Sequence, residues 1–90
     1  MDTAPVCVSV VDDDALVLKS LDRLLRSVGY SVRTFSSGQA FLEFRSEGAP
    51  GCIVIDLSMP GLNGLELQQA LEARGSVLPI IFLTGRGDVT

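Results

Sequence analysis

Two apolar runs in this chain end in carboxylates. "VCVSVV" (6–11) runs into Asp12, Asp13 and Asp14, and "CIVI" (52–55) runs into Asp56 and the loop "LSMPGLNG". A charge at the tip of an apolar strand must be solvated or paired. If the two tips meet, two carboxylates about 4 Å apart repel by roughly 4 kcal/mol at an effective dielectric near 20. That is a large share of the ~5–15 kcal/mol that stabilises a whole domain. The gathering is tolerable if a carboxyl takes up a proton or a divalent cation lies among the oxygens. The chain has no His and only two Cys, so the donors are all oxygen and suit Mg²⁺, with Mn²⁺ a permissible substitute. A carboxylate beside such an ion is also a competent nucleophile toward phosphorus. Asp56, which stands alone, is the best-placed one. Thr84, closing the apolar run "PIIFL", offers a hydroxyl at a third tip. Asp14 reads differently, as a helix N-cap.

The elements that must bring these groups together follow from periodicity. The run 6–11 reads as a first strand. Apolar residues at Val17, Leu18, Leu21, Leu24, Leu25 and Val28 then have helical spacing, closed by Gly29 where a left-handed cap belongs. "YSVRTF" (30–35) alternates and reads as a second strand. Ser36 with Gln39 makes a capping-box pattern for a short helix through about Arg45. "CIVID" (52–56) is a third strand, apolar on both faces as in a parallel sheet covered twice. Asn63 and Glu66 repeat the capping box and open a helix that ends near Gly75, and 78–85 reads as a fourth strand. The alternation β-α-β-α-β-α-β predicts an α/β fold: a doubly wound parallel sheet with helices on both faces. With the third strand beside the first, the carboxyl ends of these two strands flank the switch point where such sheets bind ligands. Asp12, Asp13 and Asp56 converge there and Thr84 borders the crevice. The run "GRGDVT" ends on an Asp88 placed like an N-cap, which reads as part of a longer domain.

Ninety residues, 47% hydrophobic and 20% charged, suit one globular domain. The net charge of −4 gives no basic footprint, so no direct nucleic-acid contact is expected. No apolar run approaches the ~20 residues of a membrane span, and "MDTAP" lacks a basic leader region. These features predict a cytoplasmic location. Cys7 and Cys52, set in or beside strand runs, read as buried small hydrophobes in a reducing compartment.

The pattern "VVDD", "IDLSMPGLNG" and "FLTG", in this order and spacing, resembles the receiver domain of two-component response regulators. The ending "TGRGDV" looks most like receivers of the FixJ type. The resemblance covers residues 1–90 and implies the flavodoxin- or CheY-like strand order 2-1-3-4(-5). The chain stops before the last strand and the last two helices. It also implies that Asp56 is the phosphoacceptor and that Asp12 and Asp13 are the acidic pair holding Mg²⁺. Ser58 then supplies a backbone carbonyl to the metal, and Thr84 is the switch hydroxyl. Pro60 restricts Met59 to extended geometry and helps aim the Ser58 carbonyl, while Gly61 and Gly64 read as turn residues. The implied donor is a sensor histidine kinase, and the implied output is a DNA-binding domain elsewhere in the full protein, regulating transcription. No turnover of an external substrate is expected, only self-phosphorylation and slow loss of the phosphoryl group. The family's fifth-strand Lys and its aromatic switch residue have no counterpart here, and Lys19 does not fit the role. An exposed fourth-strand edge predicts self-association or strand exchange.

Two rival readings stay open at this point. Asp12-Asp13-Asp14 with "IIFLTG" can be read as motifs of a haloacid-dehalogenase-like phosphatase, although Ala15-Leu16 stand where that family has Gly-Thr. The chain can also be read as a self-associating fragment that takes no phosphoryl group.

Overall fold

The structure, a computed structural model, describes residues 6–44, 51–57, 64–75 and 79–83. Its elements run β1 (Cys7–Val11), α1 (Ala15–Ser27), β2 (Ser31–Phe35), α2 (Gly38–Glu43), β3 (Gly51–Asp56), α3 (Gly64–Ala73) and β4 (Ile80–Leu83). The four strands form one parallel sheet in the order β2-β1-β3-β4. The expected α/β order 2-1-3-4 is therefore the observed one.

Period-two alternation sends successive strand residues to opposite faces, and the two faces are covered by different helices. On one, Val8, Val10 and Val32 are buried under Leu18, Leu21 and Leu25 of α1. These three leucines recur at intervals of three and four, one face of a helix. On the other, Val11, Ile53 and Ile55 pack against Leu67 and Leu71 of α3, with Phe35, Phe41, Leu42, Ile80 and Phe82 completing the cluster. Phe41 of α2 meets Phe35 edge-on at 5.2 Å between ring centroids. Val10, Val11, Ile53, Ile55 and Leu67 are fully withdrawn from water. Each contributes on the order of 1.5–3 kcal/mol by burial.

Caps define where the helices begin and end. Asp14 caps α1 as expected, its Oδ1 accepting from the backbone N–H of Leu16 at 2.9 Å and of Val17 at 3.4 Å. Gly29 takes φ 104°, the left-handed geometry for which a residue without Cβ is suited. For α2 the expected capping box is displaced by one residue. Ser37, not Ser36, caps it, its hydroxyl accepting from Ala40 N–H at 3.0 Å. The helix spans Gly38–Glu43 and stops short of Arg45, because this register turns Phe41 and Leu42 onto the core. Gln39 consequently sits one position too early to close a box. Asn63, Leu78, Gly85 and Asp88 lie outside the described residues, so the second capping box and the far end of the fourth strand do too.

The cysteines also depart from expectation: both are free but only half-buried. Cys7 opposes Gly51, whereas Cys52 opposes Val8, so alternation points the two thiols to opposite faces. That geometry is unsuited to a disulfide between them. Cys52 lies on the α1 side, where it packs against the edge of the valine cluster. Among the described residues β4 pairs only with β3, and Ile81 is half-exposed. No helix among the described residues is long and apolar enough to cross a membrane.

Candidate functional site

The β1–β3 register ends with Val11 opposite Ile55. The next residue on each strand is an aspartate, so two carboxylates 44 positions apart in sequence come to the same rung. The tip is held on both sides. Asp12 N–H donates to the Phe35 carbonyl of β2 at 3.1 Å, and Leu57 N–H donates to the Leu83 carbonyl of β4 at 3.0 Å. Alternation continues from Val10 and Val54, which places Asp56 and Asp12 on the α1 side of the sheet.

One oxygen from each of Asp12, Asp13 and Asp56 lies within 4.8 Å of the others. Asp12 and Asp56 are buried, at 5% and 6% exposure, and Asp13 is exposed. Burial, the main cause, raises the Asp12 carboxyl above its ordinary 3.8, and the charges of Asp56, Asp13 and Asp14 push the same way. A hydrogen bond from Asp14 N–H to Asp12 Oδ1, 2.8 Å long, offsets part of that rise. Asp12 is thus a carboxylate held at a place that disfavours its own charge.

This donor set fits a small hard dication. It is all oxygen, it converges from two strand ends, two of its members are withdrawn from water, and no imidazole or thiolate intrudes. Asp12, Asp13 and Asp56 are the residues that could hold the ion. Of the other expected site residues, Ser58 and Thr84 lie outside the described residues, as do Met59, Pro60 and Gly61. Thr84 directly follows Leu83, whose rung partner is Asp56.

Two features of the site had gone unread in the sequence. Asp14 is more than a helix cap, since its N–H also orients Asp12; the D-x-D spacing of an Asx turn carries that signal. Gly64, read as a turn residue, is the buried first residue of α3, and no local sequence signal marks the contact it makes with β3.

Comparison with known proteins bears on the family and the fold. A family profile described as the response regulator receiver domain matches residues 8–90. The transcriptional regulatory protein TdiR of Thauera aromatica is 51% identical over 81 residues, covering 90% of this chain and 36% of its own. The transcriptional regulatory protein FixJ of Bradyrhizobium diazoefficiens is 46% identical over 80 residues, covering 89% of this chain and 39% of its own. The response regulator StyR has a solved structure that superposes with a TM-score of 0.87 at 46% identity, over 97% of this chain and 44% of that one. The chain thus spans little more than a third of the length of the curated relatives it matches: 35% of the response regulator TodT of Pseudomonas putida, for example.

Proposed function

This chain belongs to the response regulator receiver family, and from that premise we propose that Asp56 accepts a phosphoryl group from a phosphorylated histidine of a sensor kinase. The observation that carries the reading is the meeting of Asp12, Asp13 and Asp56 oxygens within 4.8 Å at the carboxyl end of the sheet. A carboxylate oxygen of Asp56 forms the new bond to phosphorus while the P–N bond to the donor imidazole breaks. The leaving nitrogen keeps that bond's electron pair. The product is a mixed anhydride, and no external substrate is turned over.

Mg²⁺, or Mn²⁺ in its place, would be held by Asp12, Asp13 and Asp56 with the Ser58 carbonyl. When bound, it supplies positive charge against the transferring phosphoryl oxygens. The chain's own contribution is placement. β3 is paired on both sides, and its last two residues, Ile55 and Asp56, are buried, so the strand delivers Asp56 to a defined place at the rim of the sheet. Asp12, oriented by Asp14 N–H, sets one oxygen toward the shared point. Thr84, next after Leu83, is proposed as the hydroxyl that turns toward the phosphoryl group and relays its presence.

In this reading residues 1–90 are the partial receiver, lacking the last strand and two helices, and they control a transcriptional output domain of the full protein in the cytoplasm. The names of TdiR and FixJ as transcriptional regulatory proteins support that. Membership in the receiver family leaves the phosphatase alternative without support.

Intact-mass measurement after incubation with acetyl phosphate and Mg²⁺ tests the assignment. One phosphoryl adduct is expected on the wild-type chain and none on Asp56→Asn. An adduct at full yield on the variant refutes the acceptor. No adduct on either chain, with no Mg²⁺-dependent shift at Asp13 or Asp56, supports the inert self-associating fragment.

A further inference from the structure

Gly64 opens α3 and is buried against the tip of β3. A Cβ added there would lie 3.0 Å from the Asp56 carbonyl oxygen, 3.1 Å from the Leu57 Cα and 3.2 Å from the Ile55 Cγ2. The two nearest of these atoms are backbone, so no side-chain rotation relieves the contact. Among the described residues the glycines with positive φ are Gly29 and Gly75, and Gly64 is not one of them. Its backbone therefore accepts alanine, and helix propensity by itself favours alanine at this position. What calls for glycine is the neighbour, and the neighbour is the peptide that carries Asp56.

The added methyl has two ways out. Either α3 lifts off the sheet, or the Asp56–Leu57 peptide turns. α3 is anchored by Leu67 and Leu71, buried together with Ile53 and Ile55 in one cluster. On the β4 side the strand tip is tied by the backbone hydrogen bond from Leu57 N–H to the Leu83 carbonyl. Lifting the helix exposes packed apolar surface, whereas turning the terminal peptide of a strand exposes none. The peptide is the softer element.

We propose that Gly64 is a positioning residue for Asp56: having no side chain, it lets α3 seat on the strand tip without turning the Asp56–Leu57 peptide, and so keeps the Asp56 carboxylate among the oxygens of Asp12 and Asp13. The inference rests on the reading of Asp56 as phosphoryl acceptor and deepens it.

The test compares the full chain with Gly64→Ala and Gly64→Ser in four measurements. These are the urea midpoint, backbone amide shifts of the metal-free chain, the dissociation constant for Mg²⁺ alone, and the rate of adduct formation from acetyl phosphate. The expected pattern is an unchanged or higher urea midpoint for Gly64→Ala, with amide shifts concentrated at Asp56 and Leu57. Mg²⁺ binding weakens, and adduct formation slows roughly tenfold, as small misplacements of a reacting group do. Gly64→Ser shifts the same residues further. Shifts confined to Leu67, Leu71 and their neighbours, with wild-type Mg²⁺ affinity, overturn the proposal. Failure of Gly64→Ala to fold also overturns it, because the contact would then support the core rather than aim a carboxylate. If the wild-type chain takes no phosphoryl group, the acceptor assignment falls, while the metal constant and the shifts still decide the role of Gly64.

Discussion

Ile55 and Asp56 are consecutive residues of β3 and almost equally withdrawn from solvent, at 0% and 6% exposure. Ile55 gains by that burial and packs with Val11, Leu67 and Leu71. Asp56 carries a charge that leaving water disfavours, and it is brought beside two further carboxylates. The interior of the sheet is thus built for stability, and its carboxyl rim gathers like-charged groups. The contrast teaches that stabilising burial and gathered charge are separated along the strand by a single residue, and that the packed part sets where the charge is held.

Substitution at either side should therefore have opposite signatures. The largest effect is expected at the rim: Asp56→Asn abolishes the acetyl-phosphate adduct by mass while leaving the urea midpoint unchanged or raised. In the interior the effect reverses. Leu67→Ala, at a side chain with 0% exposure, should cost about 2–5 kcal/mol by urea denaturation. The folded fraction should still bind Mg²⁺ with wild-type affinity. If that affinity falls in proportion to stability, the separation is broken.

Smaller changes sharpen the boundary. Asp13→Asn removes the one exposed oxygen donor of the three and should weaken Mg²⁺ binding about tenfold or more by calorimetric titration, roughly 1.4 kcal/mol. Asp14→Ala loses the α1 cap and should cost about 1 kcal/mol. Its N–H remains, so Asp12 keeps its hydrogen bond and the metal affinity should hold.

The smallest effect concerns pH. The Asp12 carboxyl is raised in the folded metal-free chain above its ordinary 3.8, chiefly by burial. Between those two values the folded state keeps a proton that the unfolded state has released, so stability falls as pH rises through that window. Asp12→Asn should remove this dependence. It should raise the urea midpoint of the metal-free chain at neutral pH, and the gain should vanish once the pH falls below the unfolded value. Saturating Mg²⁺ should reverse the order of the two proteins.

Much of this was legible in the chain. The runs at β1, β3 and β4 and the leucine spacing of α1 are strong periodic signals, and the acidic tips followed from reading them in order. The α2 boundary was less legible, because Ser36 and Ser37 are both competent caps and packing of Phe41 and Leu42 chose between them. The cysteines, expected to be buried small hydrophobes, are only half-buried. Composition cannot tell a residue under the middle of a helix from one at the margin of its cover.

Sequence alone determined which residues are apolar strands, that a helix follows each of the first three, and that carboxylates terminate two of the strands. These are local properties, set by backbone propensity and side-chain period. Tertiary structure decided that Val11 and Ile55 share a rung, that Asp12 and Asp56 are therefore withdrawn together, and that the space beside Gly64 is bounded by the peptide between Asp56 and Leu57. Those are contacts between segments far apart in the chain. They depend on register and on the distance of approach between packed elements, which no local pattern of residues encodes.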